Sequence, residues 1–257
     1  MKLYEQTIAI FQRILQELLK RKRNLIFWSV FPLTILVLNS YIIAERAKID
    51  VSLAMKISAP PSLMGAALFF SCLGGTIATI VGEREQKTLI RLFISPLMGI
   101  AYFLGILLAH SAIAFCQAIL IYGLLFLLGK PIEGSFFLGL IIIILSIISY
   151  VGVGFIFGTQ LAKRTEDVNS IVATFGVPLL ILGGTFFPSS LFPEKMKQLA
   201  QFNPIFHMNE ALIQIWGKGA LFSDIKIHFW FLFVFSFIVI LLGWWCYEKM
   251  LKSETVL

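Results

Sequence analysis

Six long apolar runs without a charged residue are the feature that most limits what this sequence can fold into. Each run has about 19 residues or more, the length that a helix needs to cross the hydrocarbon core of a bilayer. All 21 Lys and Arg and all 14 Asp and Glu lie between or outside these runs. Because a charge inside a bilayer is costly, the pattern predicts an all-α polytopic membrane protein with six transmembrane helices. The predicted spans are residues 25–43, 63–81, 99–128, 136–161, 168–188 and 229–247.

The composition excludes a water-soluble globular domain. Hydrophobic residues make up 58% of the 257 residues and charged residues only 14%. The net charge of +7 raises the question of nucleic acid binding. However, the charges flank the spans and form no basic stripe with interleaved aromatic residues. Attraction to the anionic headgroups of membrane lipid explains the charge better, and no nucleic acid partner is expected.

The distribution of basic residues predicts the orientation. Thirteen Lys and Arg lie on the side of the two termini and eight on the other side. The cluster Lys20-Arg21-Lys22-Arg23 stands directly before the first span. Since the more basic side faces the cytoplasm, both termini are predicted to be cytoplasmic. No cleavable signal peptide is expected, because charges interrupt the first 24 residues.

Residues 1–24 are predicted to form an amphipathic helix before the membrane domain of residues 25–257. Tyr4, Ile8, Phe11, Leu15 and Leu18 recur at spacings of three and four residues, which is a helical period. We expect this helix to lie in the interface along the cytoplasmic membrane surface. Packing of a solvated helix on a partner is the alternative.

Two of the segments on the opposite side differ in character. Ala44–Ser62 is polar and is predicted to be a loop that ends at Pro60-Pro61. Residues 189–228 are too apolar for a free loop in water. They are predicted to form re-entrant helices at Glu194–Ala200 and Met208–Trp216, which dip into the outer leaflet or pack against the ends of the spans.

The sequence contains no recognisable catalytic constellation, so the chain is not predicted to be an enzyme. His110, His207 and His228 are isolated from Cys and carboxylates at ligand spacing, and no metal site is expected. A phosphate-binding loop is also absent from the sequence. Neutral polar residues within the spans can line a transport path or form hydrogen bonds between helices. The candidates for such a path are Asn39, Thr76, His110 and Gln117.

The connector after the second span combines a dense charged turn with an apolar side. Glu83, Arg84 and Glu85 supply charges, and Leu89 begins the apolar side. The segment 82–96 is predicted to be a short amphipathic helix that Pro96 ends. An ordinary interfacial connector, with its charges in water, is the alternative.

This connector resembles the GERE-x-x-T-L segment of permease subunits in the type 2 ABC exporter family, which is related to drug, polysaccharide and lipid exporters. The segment from Gly183-Gly184-Thr185-Phe186-Phe187-Pro188 through Pro193, Asn203-Pro204 and Glu210-Ala211-Leu212 is similar to the external re-entrant pattern of that family. The two motifs, the N-terminal helix and the six spans match the family in order along the whole chain.

The resemblance implies two functional regions. The first is a cytoplasmic coupling helix that docks into a groove of an ATPase subunit, and it would include Gly82, Glu83, Arg84, Glu85, Thr88 and Leu89. The second is an external gate, shaped by Gly184, Phe186, Pro188, Pro193, Asn203, Pro204 and Glu210. The family often has Gly at the position of Lys87, which suggests a partner surface suited to an extra positive charge.

The resemblance also implies the partners and the location. The chain would pair with a second copy or a paralogue and bind two ATPase subunits in a bacterial-type plasma (inner) membrane. ATP and Mg would belong to the ATPase, and no cofactor is expected in this chain. The expected substrate is a lipophilic, amphipathic or glycan-lipid molecule moved out of the cytoplasm or inner leaflet. The alternatives are a polysaccharide exporter permease, a channel or secondary carrier without an ATPase, and a scaffold without transport.

Overall fold

The protein is a bundle of long helices. A computed structural model describes residues 3–88, 97–130 and 132–254, with side chains to Lys252, and these residues form no β-strand. Six of the helices are long and apolar enough to cross a membrane, which confirms the predicted all-α fold with six spans. The helices are α1 (Leu3–Lys20), then the spans α2 (Lys22–Ala47), α3 (Val51–Glu85), α4 (Gly99–Leu127), α5 (Phe136–Gln160) and α6 (Thr165–Leu182), the short helices α7 (Glu194–Ala200) and α8 (Pro204–Leu212), and the last span α9 (Phe222–Glu254).

The bundle has two ends of different construction. The terminal face carries α1, the end of α3 and the start of α4, and there Arg13 of α1 pairs with Glu83 of α3. The opposite face carries residues 183–221, which we call the cap. The cap is joined to the α4–α5 linker by the Glu133 amide, which donates to the Trp216 carbonyl over 3.2 Å. The Trp216 indole also donates to the Ser135 carbonyl over 3.1 Å.

The α3 helix occupies the centre of the bundle, and most of its apolar window is buried. Glycines let the neighbouring helix α5 approach it closely. A Cβ atom on Gly154 would lie 2.8 Å from the Thr76 side chain, and one on Gly158 would lie 3.3 Å from Ile77 and Ile80. On its other side, α5 uses Gly152 to meet α9. Small residues one turn apart on α5 thus permit close contact between the helices.

The prediction of a polar loop over Ala44–Ser62 is wrong. The α2 helix continues to Ala47, and α3 begins at Val51 with Pro60 and Pro61 inside it. Asp50 starts the helix because its carboxylate accepts from the Ser52 amide over 2.7 Å. Wide π-helical turns over Ser62–Gly74 follow the prolines. Pro60 and Pro61 cannot donate to the carbonyls of Lys56 and Ile57 four residues before them, and local widening of this kind lets a membrane helix tolerate proline.

The amphipathic helix α1 is present, but its buried stripe is rotated from the predicted one. Ile10, Ile14 and Leu18 are buried, whereas Tyr4 is 74% exposed. The reason lies on α4, where Gly105 has no side chain and Ile10 fills the space. The α1 helix therefore packs along the start of α4 rather than facing only the membrane surface.

The predicted helices of the cap are both present, but the second begins earlier than expected. Glu194–Ala200 has the predicted bounds. The second helix starts at Pro204 instead of Met208, because the Asn203 side chain accepts from the Ile205 amide over 3.0 Å and caps it. It continues as wide turns over Ile213–Gly217. Because α6 ends at Leu182 and not at residue 188, the cap begins at Gly183.

Candidate coupling region and cap site

A buried carboxylate organises the terminal face. Glu83 lies in the last turn of α3 and is only 4% exposed. The Arg13 guanidinium of α1 and the Tyr102 hydroxyl of α4 both donate to its oxygens. Tyr102 stacks on Tyr247 of α9 with ring centroids 5.5 Å apart. We call Arg13, Glu83 and Tyr102 the Glu83 cluster; it ties α1, α3 and α4 together, with α9 packed behind.

The two residues that follow Glu83 bind other connections of the same face. Arg84 donates to the carbonyl oxygens of Gly158 and Ala162, over 3.4 and 3.2 Å, at the end of α5. Glu85 accepts from the amide, over 3.0 Å, and from the hydroxyl of Thr165, the first residue of α6. The end of α3 is thereby linked to the end of α5 and the start of α6.

The chain turns sharply after Glu85. Lys87 adopts a left-handed backbone conformation with a φ of 55°, and Glu85, Gln86 and Lys87 are all exposed. Glycine adopts this conformation without steric cost, whereas a residue with a Cβ atom is strained by about 1–2 kcal/mol. This gives a physical reason for the glycine that type 2 ABC exporters often have at this position.

The predicted extent of the coupling helix needs correction. Gly82–Glu85 forms the last turn of α3 rather than the start of a separate helix, because its backbone continues the helix until the turn at Gln86. Glu83 faces the protein interior, and no Cβ contact constrains Gly82. Thr88 is half-buried beyond the turn. Leu89 and the predicted continuation to Pro96 lie outside the described residues.

Three asparagines hold the irregular backbone where α6 gives way to the cap. Asn203 donates to the Leu179 carbonyl over 2.6 Å, and Asn209 donates to the Gly183 carbonyl over 2.7 Å. Asn39 of α2 donates to the Thr185 carbonyl over 2.9 Å. The carbonyls of Gly183 and Thr185 lie beyond the end of α6, and side chains from the cap and α2 bind them there. The turn into the cap is therefore fixed.

The residues predicted to shape the external gate all lie in the cap, where Gly184, Pro188 and Glu210 line a common cavity and the other four do not. Gly184 has a φ of 79°, which a side chain would strain, and it forms the sharp turn after α6. Glu210 accepts a hydrogen bond from Ser189. Phe186 and Pro188 are half-buried and Pro193 is exposed at the start of α7. Pro204 is the first residue of α8.

The structure does not bring the four path candidates together. His110 is fully buried and contacts the Ser71 carbonyl at 2.8 Å. Gln117 accepts from the Ser71 hydroxyl over 2.7 Å and donates to the Trp28 carbonyl over 2.9 Å. Thr76 is buried against α5. These three join helices, and Asn39 is the one that lines a cavity.

Two cavities lie at different depths of the bundle. The cap cavity has a volume of about 400 Å³ between α2, α3 and the cap. The lower cavity has about 340 Å³ between the start of α2, the end of α3 and α6. Its wall includes Phe27 and Phe70, whose ring centroids are 5.4 Å apart, with Arg21, Asn24 and Asn169 as polar groups. Both cavities thus combine apolar walls with a few polar side chains.

Two histidines that are 21 residues apart in sequence meet where the cap helix α8 packs against α9. The Nδ1 atoms of His207 and His228 lie 2.8 Å apart, and His207 Nε2 donates to the Gln201 carbonyl over 2.8 Å. Burial lowers the pKa of His207 below its usual value, and the Gln201 carbonyl offsets part of that shift. The described residues contain no group of three His, Cys, Asp or Glu that could hold a metal ion.

The lowered pKa of His207 predicts a pH-dependent stability. The unfolded chain binds a proton at this histidine below pH about 6.5, whereas the folded chain resists it. The free energy of unfolding is therefore expected to fall as the pH drops from 7.5 to 5.0. His207→Gln keeps a donor for Gln201 and should flatten that dependence. Thermal unfolding in detergent at both pH values measures it, and an unchanged slope in the variant would contradict the assignment.

Sequence reasoning missed the partners of the predicted residues. Arg13 and Tyr102 bind Glu83, Thr165 binds Glu85, and Asn209 supports Gly183. Tyr102 offered one signal, because it is a polar residue near the start of the third apolar run. A single sequence contains no signal that says which polar groups pair across the bundle.

Comparisons with known proteins agree with this architecture. A family model described as ABC-2 type transporter matches residues 5–216, which is most of the chain. The proteins named "Probable multidrug ABC transporter permease YbhR" in Escherichia coli K12 and in Escherichia coli O157:H7 are each 27% identical to it over 177 residues. The match covers 68% of this chain and 48% of each relative, so the chain spans about half the length of the curated relatives it matches.

Proposed function

We propose, from the premise that this chain belongs to the ABC-2 type transporter family, that it is the membrane-spanning subunit of an ATP-driven exporter. In this proposal its substrate is a lipophilic or amphipathic molecule, which leaves the cytoplasm or the inner leaflet. The working complex holds two such subunits and two ATPase subunits, which bind ATP and Mg. The terminal face is cytoplasmic, as the excess of basic residues on that side favours.

The observation that supports coupling most strongly is the linkage of the exposed turn at Gln86–Lys87 to three spans. Glu83 binds α1 and α4, and Glu85 binds the start of α6. A partner that pushes on this turn therefore acts on α3, α4 and α6 together. In this scheme Glu83 and Arg84 position the turn, while Glu85, Gln86 and Lys87 face the ATPase.

The lower cavity supports the proposed substrate class. It lies between α2, α3 and α6, and Phe27 and Phe31 stack beside it with centroids 5.1 Å apart. Phe27 is 44% exposed, although it belongs to a cluster of rings. Aromatic side chains with a few polar groups suit a lipophilic molecule better than a small ion. The relatives from Escherichia coli carry the word multidrug in their names.

The test is whether an ATPase binds through the turn. We expect an ATP-binding protein to co-purify with the wild-type chain from its native membrane, and Lys87→Glu to lose most of it. Lys87→Gly should keep the ATPase and relieve the backbone strain. Lys22→Glu is the matched control, because it reverses an exposed charge on the same face without touching the turn.

Two results would count against the proposal. Equal recovery of the ATPase with Lys87→Glu would place the docking surface elsewhere. Absence of any ATP-binding protein from the wild-type preparation, together with transport that needs no ATP, would favour a channel or secondary carrier.

A further inference from the structure

The cap cavity has the size and the lining of a binding site. It is lined by apolar side chains that include Ile43, Ile57 and Phe206, which suit the upper part of an acyl chain. Its volume of about 400 Å³ lies within the range of small-molecule sites. It is separate from the lower cavity, whose lining residues it does not share.

One acceptor in this wall has no partner within the described protein. Asn209 is 2% exposed, and its Nδ2 atom donates to the Gly183 carbonyl. That bond fixes the orientation of the amide, because a flipped group would face oxygen to oxygen. Its Oδ1 atom is left without a hydrogen bond. This oxygen is also shielded from solvent, so Asn209 shapes the wall of the cavity through its bond to Gly183 and offers the cavity no hydrogen bond of its own.

The charged groups of the cavity have both signs. Glu210 follows Asn209, and its carboxylate accepts one hydrogen bond from Ser189. Lys197 and Lys218 also line the cavity, and Lys197 pairs over 2.9 Å with the exposed Glu194. The Glu210 carboxylate attracts an ammonium group, and the two lysines attract a phosphate.

We propose that the cap cavity binds a zwitterionic amphiphile. Its ammonium group lies against Glu210, its phosphate lies near Lys218, and the start of its chain contacts the apolar wall. Such a molecule can be a lipid of the surrounding leaflet or a substrate that leaves through the cap. The binding itself does not depend on the proposed exporter function.

The test measures binding of defined lysolipids to the purified full-length chain by native mass spectrometry. Lysophosphatidylethanolamine carries both charges, and lysophosphatidylglycerol with the same acyl chain lacks the ammonium group. We expect the first to bind at least about tenfold more tightly, and Glu210→Gln to remove that preference, as loss of one charge-assisted hydrogen bond implies. Glu133→Gln, on the same face but outside the cavity, should leave it unchanged.

A second variant keeps the test decisive if Glu210→Gln lowers the melting temperature. The exposed residue Lys218 can be changed with little risk to the fold, and Lys218→Gln should weaken lysophosphatidylethanolamine without affecting dodecylamine, which has no phosphate. Equal affinity for the two lysolipids, or dodecylamine binding as tight as lysophosphatidylethanolamine, would overturn the proposal.

The source of the ligand is resolved with the complex that includes the ATPase. A resident lipid should stay bound when ATP is added, whereas a substrate should be released. Absence of the lysolipid preference in the wild-type chain refutes the cap site, while absence of an ATPase refutes only the exporter function.

Discussion

Arg13→Ala is expected to lower the free energy of unfolding by about 3 kcal/mol, because it leaves the buried Glu83 carboxylate without its counter-charge. Glu83 is only 4% exposed, so water cannot solvate its carboxylate once the Arg13 guanidinium is removed. Tyr102 still donates to it, which keeps the loss at the lower end of the range for broken buried ion pairs. Unfolding of the detergent-solubilised protein by increasing fractions of dodecyl sulfate measures the change.

The chain offers a closely matched control for this substitution. Arg21 pairs with Glu17 at i,i+4, and its side chain is 35% exposed, as is that of Arg13. Glu17, however, is 39% exposed, so its carboxylate keeps its water. Arg21→Ala should therefore cost less than about 1 kcal/mol. Similar losses for the two variants would mean that burial of Glu83 does not govern the pair.

A double substitution separates charge from shape in the Glu83 cluster. Glu83→Gln removes the buried charge but keeps an oxygen that accepts from Tyr102. In the Arg13→Ala background it should restore part of the lost stability, because no unpaired charge remains. If the double variant regains stability in this way but still loses coupling between ATP hydrolysis and transport, the cluster acts as the positioning device that the proposed function requires.

The six spans could be predicted because their cause is local. The length of a charge-free run decides by itself whether a helix can cross the bilayer, and the cost of a charge inside the bilayer does not depend on the rest of the fold. The glycine contacts of α5 were also predictable, since Gly154 and Gly158 lie one turn apart on a single helix. The capping of the helix start at Val51 by Asp50 was equally local. It was missed because Pro60 and Pro61 are typical of the end of a loop, although here they lie inside the helix.

The rest depends on contacts that one sequence does not reveal. The stripe of α1 was misplaced because Gly105, 95 residues beyond Ile10, decides which side packs. Glu83 stood in a charged motif, and nothing in that motif shows that Arg13 and Tyr102 bury it. The left-handed backbone at Lys87 was not predicted, although the glycine that type 2 ABC exporters often have at that position adopts this conformation without strain.

The contact between α5 and α9 gives the second large expected effect. A Cβ atom on Gly152 would lie 2.9 Å from the Val239 backbone, and one on Gly243 would lie 2.8 Å from the Gly152 carbonyl oxygen. Backbone atoms cannot rotate away as side chains can, so the two helices must separate. Gly152→Val is therefore expected to cost at least the 1–3 kcal/mol typical of overpacking.

Gly123→Val in α4 is the control for this prediction, because nothing lies within 4 Å of a Cβ atom at Gly123. It makes the same change within a membrane helix but only adds surface, so the difference between the variants isolates the helix contact from helix propensity. Dodecyl sulfate unfolding, followed by the tryptophan fluorescence to which Trp230, Trp244 and Trp245 of α9 contribute, measures both. Equal stabilities would show that α9 can move relative to α5, and α9 could then not serve as the fixed support on which the Glu83 cluster rests.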